Sequence, residues 1–121
     1  MNSVRMSEHS SGDGEAAHRS GCKLVTVVCE AAIENDIVSD LERLEAKGYT
    51  ITDARGRGTR GVRDASWSSG ANIRVEVLCD ERIAAAIVQY FEQRYYAHYA
   101  MVMFISDVEV LAKVFLVSVC L

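Results

Sequence analysis

The sequence has no C-x-x-C pair among its four cysteines, no apolar run of membrane-spanning length, and no excess of positive charge. The three histidines, His9, His18 and His98, do not stand at metal-ligand spacing beside a cysteine, so no zinc site can be read. Cys29 and Cys79 fall in apolar strand patterns, where a free thiol behaves as a small hydrophobe. The expectation for the cysteines is buried, reduced thiols in a cytoplasmic protein, with a redox role left open only for Cys120 near the C-terminus. A bilayer span needs about 18 consecutive apolar residues; nothing here approaches that, so no membrane insertion is expected. The net charge of -4 argues against a general nucleic-acid binder, which would be basic overall. The opening stretch, residues 1–22, is rich in Ser, Gly, His and Glu and lacks an apolar core region, which reads as a disordered tail and not a signal peptide.

What is present is enough for one domain: 121 residues, half of them hydrophobic, can bury a sizeable core. Lys23 to Cys29 is a short β-branched run and reads as a strand buried on both faces. Ile33, Ile37, Leu41 and Leu44 then recur at helical spacing, with Glu34, Asp40, Glu42, Arg43 and Glu45 on the other face. Gly48 stands where a helix C-cap is expected. Tyr49 to Ala54 alternates as a second strand and Ile73 to Cys79 as a third. Asp80 suits the N-cap of a second helix that turns Ile83, Ile87, Val88, Phe91 and Tyr95 inward. Met101 to Ile105 makes a fourth, continuously apolar strand, followed by Val108, Val110 and Leu111 with no clear pattern.

The order β-α-β-β-α-β predicts an α+β, ferredoxin-like sandwich, with two helices covering one face of a four-stranded antiparallel sheet. Strand four is apolar on both faces, and Leu78 points away from the core set of its own strand. The uncovered sheet face would be a large apolar patch, so homo-oligomerisation through it is expected.

Between strands two and three the pattern breaks. Residues 55–70 hold four arginines (Arg55, Arg57, Arg60, Arg63) and four glycines (Gly56, Gly58, Gly61, Gly70), and long loops in compact domains are usually functional or mobile. Glycine lets the backbone come close to a ligand, and arginine offers a charged fork that matches phosphate and carboxylate oxygens. These parts suit a phosphate or small oxyanion such as bicarbonate. Composition alone reads equally well as a solvated basic loop. Gly-Arg-Gly-Thr-Arg-Gly is neither a dinucleotide fingerprint, since no helix follows, nor a P-loop, which needs Gly-Lys-Ser/Thr opening a helix.

The run from Gly48 to Arg63 follows the pattern G-Y-T-x-x-D-x-x-G-x-G-x-R-x-V-R throughout. It resembles the second strand and T-loop base of PII-like signalling proteins, closest to the carboxysome-associated and bicarbonate-transporter-associated branch. Tyr99-Ala100, the apolar run Met101 to Ile105, and Glu109-Val110-Leu111 agree with the same family. The resemblance covers residues 23–111 as the domain and leaves 112–121 as a C-terminal tail. It implies a homotrimer with nucleotide sites in the clefts between subunits, which would cover the open sheet face. Phosphates would lie against Gly56, Arg57, Gly58, Thr59 and Arg60. Glu76, Leu78, Phe104 and Ile105 would line the adenine side, and bicarbonate would sit near Gly58, Thr59 and Arg60.

The resemblance further implies a non-enzymatic sensor whose loop, through Arg63 and the single tryptophan Trp67, contacts a transporter or carboxysome-related protein. Two departures bear on the ligand. The stretches Tyr95 to Ala100 and Ala112 to Val114 lack the glycine- and lysine-rich turn and the arginine pair of nitrogen-regulatory members. A triphosphate loses cationic partners there, so ADP or AMP is expected ahead of ATP. The competing reading is a small acylphosphatase-like enzyme on the same fold. That class carries its phosphate loop after the first strand, where Glu30 to Asp36 here has neither glycine nor arginine. An RNA-binding module would need aromatics on the middle strands, and neither Lys23 to Cys29 nor Ile73 to Cys79 has one.

Overall fold

A computed structural model describes residues 18–56 and 71–112, with side chains for 22–56 and 71–111. The chain runs β1 (His18–Glu30), a 3₁₀ turn (Ala31–Ile33), α1 (Glu34–Arg43), β2 (Thr50–Ala54), β3 (Asn72–Cys79), α2 (Glu81–Tyr95) and β4 (Met101–Ala112). The four strands form one antiparallel sheet in the order β2-β3-β1-β4. This is the ferredoxin-like α+β arrangement expected from the element order.

Alternation along the strands decides which face the helices cover. Val25, Val27 and Cys29 of β1, Ile73, Val75, Val77 and Cys79 of β3, and Met101 of β4 are all buried. They pack with Ile37 and Leu41 of α1 and Ile83, Ala84, Ile87, Phe91 and Tyr95 of α2 in one core. Each fully buried aliphatic or aromatic side chain contributes about 1.5–3 kcal/mol over its exposed state, which makes this layer the main source of stability. Burial also pushes the thiols of Cys29 and Cys79 up, to about 12 and about 11, so both stay protonated small hydrophobes. Cys22, in contrast, is disulfide-bonded, against the reading of reduced thiols throughout; sequence spacing does not report which cysteines meet in space. Cys120 lies outside the described residues.

Helix ends follow local chemistry. The Asp80 side chain accepts from the Ile83 N–H at 2.8 Å and caps α2 as expected. The C-terminus of α1 differs from expectation. Glu45, not Gly48, takes the left-handed conformation, with φ 69°. The Glu45 N–H bonds the Glu42 carbonyl at 3.1 Å and the Ala46 N–H reaches back to the Leu41 carbonyl at 3.0 Å, a Schellman closure. Ala46 packs against the core, and that contact fixes the stop three residues before the glycine.

The central strand β1 and the edge strand β4 both run longer than their apolar runs. β1 starts at His18 and β4 ends at Ala112, because residues 18–22 pair with 108–112 as a two-stranded extension beyond β3. The stretch 18–22, read as tail, is therefore strand: backbone pairing does not need an apolar side chain. The Lys23–Asp107 ion pair lies where the apolar run of β4 has broken.

Between the helices lies a charge read as solvated. Asp40 is 1% exposed, not on the outer face of α1. Its carboxylate accepts from the Tyr95 hydroxyl at 2.5 Å, from Arg94 at 2.9 Å and from Arg43. Arg43 and Arg94 also donate to the Tyr90 hydroxyl, at 3.2 and 3.3 Å, and their guanidiniums hold Tyr90 below its ordinary value. The aromatics at this helix end are thus packing groups: Phe91, Tyr95 and Tyr99 meet edge to face.

Candidate functional site

The loop between β2 and β3 is held at both mouths. At its entry Ala54 pairs with Asn72 across the sheet. At its exit the Ala31 N–H donates to the Ala71 carbonyl at 2.9 Å, tying β3 to the turn after β1. Arg55 and Gly56 leave the sheet exposed. A side chain at Gly56 would meet nothing within 4 Å, and no glycine among the described residues has a positive φ. Backbone strain therefore does not call for glycine at Gly56; open space stands beside the backbone there. Arg57, Gly58, Thr59, Arg60, Arg63 and Trp67 lie outside the described residues.

The face of the sheet away from the helices gathers three of the remaining candidates. Register places Phe104, Thr26, Glu76 and Thr50 in one row across all four strands, in the order β4, β1, β3, β2. Leu78, two residues along β3, falls on the same face next to Leu24. Phe104 is 46% exposed, as is much of its surrounding apolar surface, with Val102 at 50%. Ile105 is not brought to this group. It pairs with Val25, whose side chain is in the core, and so stands on the helix side, since neighbouring residues of a strand face opposite ways. A contact from Ile105 to a ligand on the open face would have to come from its backbone.

Three features of this face went unread in the sequence. Thr26 is fully buried in the row between Glu76 and Phe104, and among the described residues its hydroxyl has no hydrogen-bond partner. Arg74, also on the open face, donates from Nε to the Glu76 carboxylate at 3.3 Å. The spacing of two between Arg74 and Glu76 was the available signal. Glu30, at the end of β1, accepts from the Ala100 N–H at 2.7 Å and so places a carboxylate at the turn that leads into β4.

Put together, the face offers an exposed aromatic, an aliphatic side chain, an oriented carboxylate and the exposed hydroxyl of Thr50, with the arginine- and glycine-rich loop leaving the β2 edge. Among the described residues no three His, Cys, Asp or Glu side chains gather to hold a metal ion, and no helix is long and apolar enough to cross a membrane.

Residues 22–114 match the model of the family described as Nitrogen regulatory protein P-II. The chain belongs to that family. A PII-like signaling protein of Thermus thermophilus is 43% identical over 76% of this chain and 91% of its own, with a TM-score of 0.64. CPII of Thiomonas intermedia, a nitrogen regulatory PII-like protein solved with ADP, AMP and bicarbonate, is 23% identical, covers 79% of this chain and 99% of its own, and superposes with a TM-score of 0.65. Its apo form superposes with a TM-score of 0.67 at 20% identity. At those identities the CPII structures show the shared fold. The P-II match spans the strands, helices and loop described above, and it makes this chain a PII-like regulatory protein.

Proposed function

We propose that this chain is a non-enzymatic sensor that binds ADP or AMP, and bicarbonate beside it, in the clefts between subunits of a homotrimer. The observation that carries this reading is the row Phe104–Thr26–Glu76 on an exposed sheet face, with Glu76 four residues along β3 from Asn72, where the chain returns from the arginine- and glycine-rich loop. Glu76 is a hydrogen-bond acceptor for an exocyclic amine, while Phe104 and Leu78 supply apolar surface for a flat ring. In this reading the phosphates lie against Gly56, Arg57, Gly58, Thr59 and Arg60, where open space beside Gly56 lets oxygens approach the backbone. Bicarbonate takes the neighbouring donors of Gly58, Thr59 and Arg60. That CPII was solved with ADP, AMP and bicarbonate supports the choice of ligands.

Trimerisation accounts for the open face. Val102 and Phe104 are too exposed and too apolar to be left in water, and a second and third copy would cover them. The Glu30 carboxylate at Ala100 favours ADP or AMP over ATP: it adds negative charge at a turn that carries no lysine. The loop from Arg63 through Trp67 is the signalling arm, ordered or released by ligand, whose partner is a transporter or carboxysome-related protein in inorganic-carbon handling. The sensor would act in the cytoplasm.

An acylphosphatase-like enzyme is the weaker reading. Its loop would follow β1, where this chain has Glu30 at the strand end, a 3₁₀ turn and an α1 start carrying Glu34 and Asp36, all three carboxylates repelling phosphate. Two variants test the proposed division of the loop. Arg60→Ala weakens ADP affinity about tenfold or more, the scale of one lost charge-assisted contact. Trp67→Ala leaves ADP affinity unchanged and weakens partner binding. Equal loss of nucleotide affinity in both would refute the division.

A further inference from the structure

We propose that Arg74 is a positioning residue that sets base selectivity at this site, by fixing the carboxylate of Glu76. The inference rests on the adenine-nucleotide reading given above. Arg74 and Glu76 stand two apart on β3, so both project from the open face, and the Arg74 Nε lies 3.3 Å from Glu76 Oε2. Opposite them on β2 are Thr52 and Thr50, both exposed and too short to cover the pair. On the other side of Glu76 is Thr26, buried in its own row. The Arg74 guanidinium is thus the single cation in contact with Glu76 among the described residues.

The chemistry follows from the base edges. Adenine presents its N6 amine, while guanine has an acceptor, O6, in that position and carries its own donors, N1–H and the N2 amine, further along the same edge. A carboxylate free to turn about its side-chain bonds reaches either set of donors. Held by Arg74, it stays at one place on the face and rewards a donor only there. Selectivity for adenine over guanine then belongs to the pair, although Arg74 touches no base. The contact is exposed and made by one nitrogen, so its effect is several-fold and not orders of magnitude.

The test is calorimetric titration of ADP, GDP and AMP into the full chain, as wild type, Arg74→Gln and Arg74→Lys. ADP and GDP carry the same charge, so their affinity ratio cancels the long-range effect of losing a cation. Arg74→Gln lowers the ADP-to-GDP ratio about fivefold, changes the ADP-to-AMP ratio by less than about twofold through the long-range loss of charge, and melts with the wild type. Arg74→Lys, which keeps a donor for Glu76, recovers part of the selectivity. An unchanged ADP-to-GDP ratio in Arg74→Gln overturns the inference while leaving the site intact. An ADP-to-AMP ratio that falls as far as the ADP-to-GDP ratio also overturns it, because Arg74 would then be contacting phosphate. Wild-type protein that binds neither ADP nor AMP overturns the site reading and this inference with it.

Discussion

The Tyr95 hydroxyl donates to the Asp40 carboxylate at 2.5 Å across 55 positions of chain, and the contact pins the end of α2 to the last turn of α1. Asp40 is buried and shares its charge with Arg94 and Arg43, both of which reach it from the surface. Removing the hydroxyl costs one hydrogen bond to a charged group; removing the carboxylate strands that hydroxyl in the core. Tyr95→Phe should therefore cost about 1.5–3 kcal/mol and Asp40→Ala about 3 kcal/mol, at the low end for a buried pair because the arginines regain water. Urea unfolding checks both as shifts in midpoint at constant slope. A midpoint within error of wild type for Asp40→Ala would show the network is not formed.

Alkaline pH should unfold the protein through the same layer. Tyr95 is raised above the ordinary tyrosine range by burial first and by its bond to Asp40 second. Cys29 and Cys79 are raised to about 12 and about 11 by burial. In each case the folded state holds its proton more tightly than the unfolded chain. The stability these groups contribute is complete below the unfolded thiol value of 9.0, and it falls as pH rises from there through the folded values. Thermal unfolding between pH 8 and 11 reads this as a falling Tm, and the fall should be shallower in Cys29→Ala than in wild type.

Glu45 adopts φ 69° at the exposed end of α1, a conformation that an L side chain disfavours. Glu45→Gly keeps the two closing hydrogen bonds and removes the Cβ penalty. It should stabilise the fold by about 0.5–1 kcal/mol after glycine's greater unfolded-state entropy is set against the relief. A lower Tm for this variant would mean that the Glu45 side chain has a role beyond the cap.

Thr26 has a fully buried hydroxyl with no partner among the described residues. Thr26→Val should raise stability by about 1 kcal/mol, since an unsatisfied buried hydroxyl is replaced by a methyl of similar shape. Differential scanning calorimetry of the ligand-free protein is the measurement. A loss of stability would show that the hydroxyl is satisfied, for instance by a neighbouring copy.

Much of this was legible in the sequence because the local signals agreed with each other. Helical spacing of Ile33, Ile37 and Leu41, strand alternation in Ile73 to Cys79, and the Asp80 cap each predicted the element found. Leu78 was correctly turned to the open face by parity alone. The same parity separates Phe104 from Ile105, which as neighbours on one strand stand on opposite faces of the sheet. What was not legible depends on partners far along the chain. Asp40 looked solvated because its satisfying groups, Tyr95 and Arg94, lie on the other helix. The extensions of β1 and β4 support each other through backbone bonds, which leave no apolar trace. The stop of α1 at Glu45 came from packing of Ala46, which outweighed the glycine that followed.

The open sheet face and the loop beside it stand or fall together as a nucleotide site. Calorimetric titration of ADP into the purified full chain, with and without bicarbonate, tests this most directly. Saturable binding of ADP and AMP, weaker binding of ATP, and a change in ADP affinity when bicarbonate is present are the expected results. No heat and no thermal shift with any adenine nucleotide, under either condition, would contradict the site.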